Sequence, residues 1–126
     1  MGVYDWAVRV RNEGRCVISG FSSKLERDVW DFLMQGSQPI ILVLARRMYK
    51  RIPPDLQPLL DTNRLLIIST ISATRQSKAT ALARNRYICE LADDILFIGA
   101  TEHSSLYPLK QEFKDKSTVL SISSMA

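Results

Sequence analysis

The chain has 126 residues, of which 46% are hydrophobic and 24% are charged. This composition is that of one globular domain with one core, spanning residues 1–126, and it excludes a disordered chain. The net charge of +4 is a modest positive bias, so the clustering of the basic residues matters more than their number.

No segment of the sequence indicates a membrane or an export signal. The longest apolar run, residues 40–45, has the length of a strand, whereas a membrane-spanning helix needs roughly 20 residues. Residues 1–5 lack the basic and apolar regions of a signal peptide. We therefore expect a cytoplasmic protein with no membrane partner.

The cysteines and the single histidine predict neither a disulfide nor a metal site. Cys16 and Cys89 each lie inside an apolar pattern, so we expect both to be buried, reduced thiols. A zinc site or a Ser-His-Asp triad would have to be built around His103 alone. We therefore expect no metal, no cofactor and no catalytic residue of these kinds.

The first third of the chain predicts a helix, a strand and a second helix. Residues 4–12 form the first helix, and Gly14 suits the position just beyond its end. Residues 15–19 are a short apolar run, which predicts a buried strand. Ser23 and Glu26 have the spacing of a capping box at the start of the next helix. The apolar residues of that helix recur on one face: Leu25, Val29, Phe32 and Leu33.

Four more strands and three more helices follow. The strands are residues 40–45, 65–69, 95–99 and 118–122, and the helices are residues 56–60, 76–92 and 106–114. The strands at 40–45 and 65–69 are apolar on both faces, as in parallel sheets that helices cover on both sides. The alternation predicts an α/β fold: a Rossmann-like, doubly wound, mostly parallel sheet of about five strands flanked by helices.

The first candidate site follows the first strand, because ligands of open parallel sheets bind beyond the carboxyl ends of the strands. Gly20 lets a ligand approach the backbone, and the N–H groups that open the next helix favour an anion. In the alternative interpretation, Gly20 is only a tight turn and the serines only cap the helix. The predicted binding residues of this segment are Ser19, Gly20, Phe21, Ser22 and Lys24.

The second candidate site is the basic segment after the strand at 40–45. Its cations are Arg46, Arg47, Lys50 and Arg51, and Tyr49 lies among them. Cations with an aromatic ring at a strand end fit the binding of a phosphate backbone. The alternative is a solvated loop.

The third candidate site lies in the helix predicted over residues 76–92, with a possible kink near Asn85. Arg84, Asn85 and Arg86 interrupt an otherwise apolar stretch, and arginine suits bidentate contacts with phosphate. The alternative is a set of salt bridges to the acidic residues that follow, which are Glu90, Asp93 and Asp94.

Residues 15–106 together resemble the DNA-processing protein A (DprA/Smf) family, a Rossmann-like family within the wider group that includes the cytokinin-activating LOG enzymes. Residues 17–21, VISGF, are similar to the strand and turn written VSGLA in that family. Residues 83–93, ARNRYICELAD, are similar to its RRNRIIAGLSD segment. The family's opening strand with its GSR turn has no counterpart here, and neither has the PGGxGT motif of the LOG enzymes.

The resemblance implies a domain that binds single-stranded DNA in a basic pocket. Carried over by position, the pocket residues are Ser19, Gly20, Arg84, Asn85 and Arg86. The resemblance also implies self-association and the transfer of DNA to a RecA-type recombinase during DNA uptake. We therefore expect a non-catalytic protein that binds single-stranded DNA or a nucleotide phosphate, and that forms a homo-oligomer.

Two other functions remain open from the sequence. The same pocket could serve a sensor of a small phosphorylated nucleotide or a remnant LOG-like enzyme. Alternatively, the pocket is unused and the protein has a structural role, since exposed sheet edges invite pairing with another chain.

Overall fold

A computed structural model describes residues 2–98 and 104–120. The elements in chain order are α1 (Val3–Asn12), β1 (Val17–Ser19), α2 (Lys24–Met34), β2 (Ile40–Leu44), α3 (Gln57–Asp61), β3 (Leu65–Ser69), α4 (Lys78–Leu91), β4 (Ile95–Ile98), α5 (Tyr107–Glu112) and β5 (Ser117–Leu120). The predicted alternation of strands and helices is confirmed. Gly99, His103 and residues 121–122, to which predictions were attached, lie outside the described residues.

The strands form two parallel sheets. β2 lies at the centre of the first, where Ile40 is opposite Val17 of β1 and Leu65 of β3. β4 and β5 form the second, with Ile95 opposite Ser117. The prediction of one sheet of about five strands is therefore wrong. Apolar patterns identify strands but not their hydrogen-bond partners, and β1 and β4 are not paired with each other.

Side chains join the two sheets where backbone pairing does not. Arg15, just before β1, forms an ion pair with Asp94, just before β4, at 3.2 Å. Leu96 and Ile98 of β4 pack against the core of the first sheet.

The main core lies on one face of the first sheet, under α1, α2 and α3. Successive residues of a strand point to opposite faces, and Ile40, Leu42 and Leu44 of β2 all face this core. The buried side chains that α1 and α2 contribute are Val3, Ala7, Val10, Val29 and Leu33. Each large apolar side chain buried in this way contributes about 1.5–3 kcal/mol to stability.

The opposite face of the first sheet is only partly covered. Val43 points away from the main core, yet it is fully buried, because α4 runs beside β1 and β2. Leu66 of β3 lies on the same face as Val43 and is 54% exposed. The prediction that β3 is covered on both faces is therefore wrong.

Two polar arrangements fix the ends of α2. The Ser23 hydroxyl accepts a hydrogen bond from the Glu26 backbone N–H at 3.1 Å, as the capping-box spacing predicts. The Glu26 carboxylate, however, accepts from the N–H of Ser22 rather than from that of Ser23 (3.0 Å). At the other end, Arg64 donates to the carbonyl oxygens of Leu33 and, at 2.9 Å, of Gln38.

Three smaller predictions have clear outcomes. Gly14 has a φ of +69° and follows α1, which confirms it as the residue beyond the helix end. α4 (Lys78–Leu91) is one unbroken helix that covers most of the predicted range of residues 76–92. Cys89 is buried, as predicted, whereas Cys16 is exposed; residue 16 precedes β1 and lies outside the sheet.

No helix within residues 2–98 and 104–120 combines the length and the apolar character needed to cross a bilayer.

Candidate anion-binding cleft

A cleft of about 830 Å³ opens at the carboxyl ends of β1 and β2. The β1–α2 turn and the first half of α2 form one wall, and the segment that follows β2 forms another. Leu42 and Leu44 of β2 line the cleft, and the side chain of Arg84 enters it from α4.

The end of β1 explains why an arginine fits at this position. Val17 N–H donates to the Pro39 carbonyl, so the odd-numbered backbone groups of β2 face β1. The carbonyl of Val43 would next accept from Phe21, but the Phe21 N–H donates to the Ser19 hydroxyl instead (3.0 Å). Arg84 Nη1 donates to this free carbonyl at 3.3 Å.

Two further hydrogen bonds hold the guanidinium of Arg84. Its Nη2 donates to the Ser22 hydroxyl at 3.3 Å, and its Nε donates to Asn85 Oδ1 at 2.8 Å. Asn85 is the next residue of the same helix, so the amide fixes the direction of the arginine. The residue as a whole is only 3% exposed.

Gly20 provides the space for this guanidinium. A Cβ atom at position 20 would lie 1.9 Å from Arg84 Nη1 and 2.3 Å from Cζ. No side chain fits there while Arg84 keeps its position. Glycine is therefore required at this turn because the backbone lies too close to the Arg84 side chain to leave room for a Cβ atom.

The charge of Arg84 is buried, and it has the Glu26 carboxylate nearby but no direct ion pair. None of the ion pairs among the described residues includes it. A guanidinium has five N–H donors, of which three have acceptors in residues 2–98 and 104–120, which leaves two for a ligand. Burial lowers the pKa of Arg84, and the nearby Glu26 carboxylate partly offsets this. A buried cation of this kind favours binding of an anion.

Aromatic side chains form the apolar part of the cleft. Phe21 packs edge-on against Trp30, with ring centroids 5.0 Å apart. Phe21 has a φ of +47°, an uncommon conformation for a residue other than glycine, and such residues concentrate at functional sites. Across the cleft, the Arg46 guanidinium lies 5.4 Å from the centre of the Tyr49 ring.

The rim of the cleft carries charges of both signs. Lys24 forms an ion pair with Asp28 at 3.2 Å, and Tyr4 donates to the same carboxylate at 3.1 Å. Both contacts lower the pKa of Asp28. Asp31 and Asp55 also line the cleft. Arg27, Arg46 and Arg84 line the cleft as well, so it carries cations besides the paired Lys24.

The structure separates the predicted site residues into three groups. Those that line the cleft are Gly20, Phe21, Ser22, Lys24, Arg46 and Arg84. Ser19 and Asn85 do not line it but position residues that do, through the Phe21 N–H and the Arg84 Nε.

Arg47 and Arg86 do not line the cleft. Arg86 forms an ion pair with Glu112 of α5 at 2.7 Å. The salt-bridge alternative therefore applies to Arg86, although its partner is on α5 rather than among the acidic residues that follow it. The backbone N–H of Arg47 donates to the Ala73 carbonyl at 2.7 Å.

Sequence reasoning missed the part of the site that α2 contributes. Asp28, Trp30 and Asp31 line the cleft, although the apolar stripe of α2 faces the core. The position of Trp30 outside the apolar stripe, with Asp28 and Asp31 on either side, could have indicated this part of the site.

The sequence matches no model of a known protein family and no curated protein. Within residues 2–98 and 104–120, no three His, Cys, Asp or Glu side chains are grouped so that they could hold a metal ion.

Proposed function

We propose that the cleft binds the phosphate of a nucleotide, either free or within single-stranded DNA, and that the protein is not an enzyme. The observation that carries this proposal is the buried, unpaired guanidinium of Arg84, with two N–H donors left for an anion. A phosphate compensates the charge and accepts both donors.

The start of α2 supports the same ligand. The backbone N–H groups of the first helical turn have no backbone acceptor within the helix, and the helix dipole places partial positive charge there. In α2 the Ser23 hydroxyl accepts from the Glu26 N–H and the Glu26 carboxylate from the Ser22 N–H, which leaves the N–H groups of Lys24 and Leu25. α2 begins at Lys24, two residues after Ser22, and both residues line the cleft. An anion at Arg84 therefore lies close to the start of this helix.

The aromatic side chains favour a nucleotide over a simple phosphate. Phe21, Trp30 and Tyr49 line the cleft that holds Arg84. A base has a flat face that stacks on such rings, which contributes about 1–3 kcal/mol per base. A role in DNA uptake, with transfer of the strand to a recombinase, rests on the resemblance to the DprA family.

Arg84→Met tests the proposal, because methionine keeps an unbranched side chain and removes the charge. We expect the wild-type protein to bind labelled oligo-dT or a nucleotide at low salt, with an affinity for oligo-dT that falls as salt rises. Arg84→Met should weaken binding by about tenfold or more.

Arg86→Gln is the matched control, since Arg86 lies on the same helix but pairs with Glu112. It should bind as the wild type does. Circular dichroism melting of both variants shows whether they are folded. If folded wild-type protein binds neither oligo-dT nor any nucleotide at low salt, the proposal is wrong.

A second candidate function is assembly with another copy of the chain. β3 lies at the edge of the first sheet, and its five residues, Leu65–Ser69, contain no charge and no proline. Natural edge strands usually carry such features to prevent pairing. Light scattering after size exclusion tests this function: Leu66→Lys should convert a dimer to a monomer. A wild-type monomer at all concentrations would rule it out.

A further inference from the structure

We propose that the cleft selects a terminal phosphate monoester of a nucleotide over the internal phosphodiester of a strand. This inference rests on the proposed function, because it specifies which kind of phosphate Arg84 accepts.

The first argument is the enclosure of the guanidinium. The backbone of Gly20 lies against Nη1 and Cζ, and Ser22 and Asn85 contact the other two nitrogens. With the residue 3% exposed, a ligand reaches Arg84 only from the cleft. An internal diester has a sugar on each side, so its chain must leave in two directions. A monoester has one attached sugar, so the rest of the ligand leaves the site in a single direction.

The second argument is the match of donors and charge. Two N–H groups of Arg84 have no acceptor among the described residues, and two donors of one guanidinium can bond two oxygens of one phosphate. A monoester carries a charge of about −1.5 to −2 at neutral pH and has three free oxygens. A diester carries a single charge and has two free oxygens. The monoester therefore compensates the buried cation more fully and keeps an oxygen for the start of α2.

The third argument is the rim of the cleft. A strand that binds along a groove needs a series of free cations for its successive phosphates. Here Lys24 is paired with Asp28, and the carboxylates of Asp31 and Asp55 also line the cleft. These carboxylates repel a second and third phosphate. Arg27 and Arg46 also line the cleft, but Arg84 is the cation that is buried there. A buried cation with aromatic walls suits one phosphate and the base attached to it.

Isothermal titration calorimetry of the full chain tests this selection. The probes are thymidine, thymidine 5′-monophosphate, the dinucleoside TpT, whose only phosphate is a diester, and oligo-dT with and without a 5′-phosphate. The adenosine set of the same compounds is measured in parallel, because the aromatic walls stack on any base. Arg84→Met and Arg86→Gln serve as the sensitive and the control variant.

We expect the monophosphate and the 5′-phosphorylated strand to bind about tenfold or more tightly than the nucleoside, TpT and the unphosphorylated strand. Arg84→Met should abolish this preference, and Arg86→Gln should keep it. Binding of the monophosphate but not of the phosphorylated strand would identify a free nucleotide as the source of the monoester. Binding of both would show that the cleft also accepts the phosphorylated end of a strand.

Two results would overturn the inference, and they differ from each other. If TpT and unphosphorylated oligo-dT bind as tightly as the phosphorylated probes, and Arg84→Met weakens them, the proposed function stands and the selection of a monoester is wrong. If no probe binds, the proposed function fails and the inference fails with it.

Discussion

Arg84 Nη1 occupies the space into which a side chain at position 20 would project, since a Cβ atom on Gly20 would lie 1.9 Å from it. The two residues are far apart in the sequence: Arg84 lies on α4, and Gly20 directly follows β1. The cleft therefore depends on the smallest residue at one position and on the largest cation at the other.

Gly20→Ala should displace the guanidinium and weaken nucleotide binding by about tenfold or more. Overpacking should also lower the free energy of unfolding by about 1–3 kcal/mol. Gly14→Ala is the matched control: nothing lies within 4 Å of its Cβ position, but its φ of +69° strains alanine. That variant should lose about 1 kcal/mol of stability and no affinity. Titration calorimetry measures the affinity, and urea unfolding measures the free energy of unfolding. If Gly14→Ala lost as much affinity as Gly20→Ala, the steric argument would be wrong.

Asn85→Ala tests whether this amide positions Arg84. The substitution removes the acceptor of the Arg84 Nε hydrogen bond, which is 2.8 Å long, and leaves the charge in place. We expect weaker phosphate affinity but retained salt dependence, because the cation is still present. Asn85→Asp should keep an acceptor for Nε but compensate the charge of Arg84, so affinity should fall further. Unchanged affinity in both variants would show that Asn85 has no part in the site.

Ser23→Ala removes the side-chain cap of α2. The Glu26 N–H then loses its acceptor, and the free energy of unfolding should fall by about 1 kcal/mol. Ser77→Ala is a comparable change at α4, where Ser77 and Thr80 form a complete capping box. Both variants should bind nucleotide at saturating concentrations. Thermal melting with and without ligand separates the loss of stability from any loss of affinity.

Arg64→Met should destabilise the protein without affecting the cleft. Arg64 donates to the carbonyls of Leu33 and Gln38, so it satisfies the end of α2 and ties it to the start of β3. Hydrogen bonds from a charged group contribute about 1.5–3 kcal/mol each, and the loss should be of that order. Urea unfolding provides the measurement. An unchanged midpoint would mean that water replaces the guanidinium at no cost.

The cysteines should differ in their reaction with iodoacetamide. Cys16 is exposed and should react in the folded protein, whereas Cys89 is buried and should react only when the structure opens. Burial raises the pKa of both thiols, so the expected difference in reaction rests on the exposure of Cys16. Mass spectrometry of the time course, with Cys16→Ser as a control, distinguishes the two sites. Rapid modification of Cys89 in that variant would contradict its burial.

The local features of the cleft could be predicted from the sequence. The turn after β1, the cap at Ser23 and an arginine on α4 all follow from patterns of neighbouring residues. The different directions of the Arg84 and Arg86 side chains could also have been predicted, because residues two apart on a helix do not share a face. Treating Arg84, Asn85 and Arg86 as one group therefore overestimated the site.

The non-local features could not be predicted in the same way. The separation of β4 and β5 into a second sheet depends on which strands pair, and no apolar pattern encodes that choice. The exposure of Leu66 depends on where α4 lies relative to β3. Both are properties of packing between distant segments, whereas hydrophobic periodicity reports only one element at a time.

The separation of the two sheets has a consequence for how the molecule opens. In the described residues β1 and β4 share no backbone ladder, so we expect the half that contains β4, β5 and α5 to open at a lower free energy than the first sheet. α4 spans both halves, with Arg84 bonded to Val43 and Cys89 packed on Phe97. A ligand held by Arg84 would fix the middle of this helix. Amide hydrogens of α4 should then exchange more slowly with deuterium in the complex than in the free protein.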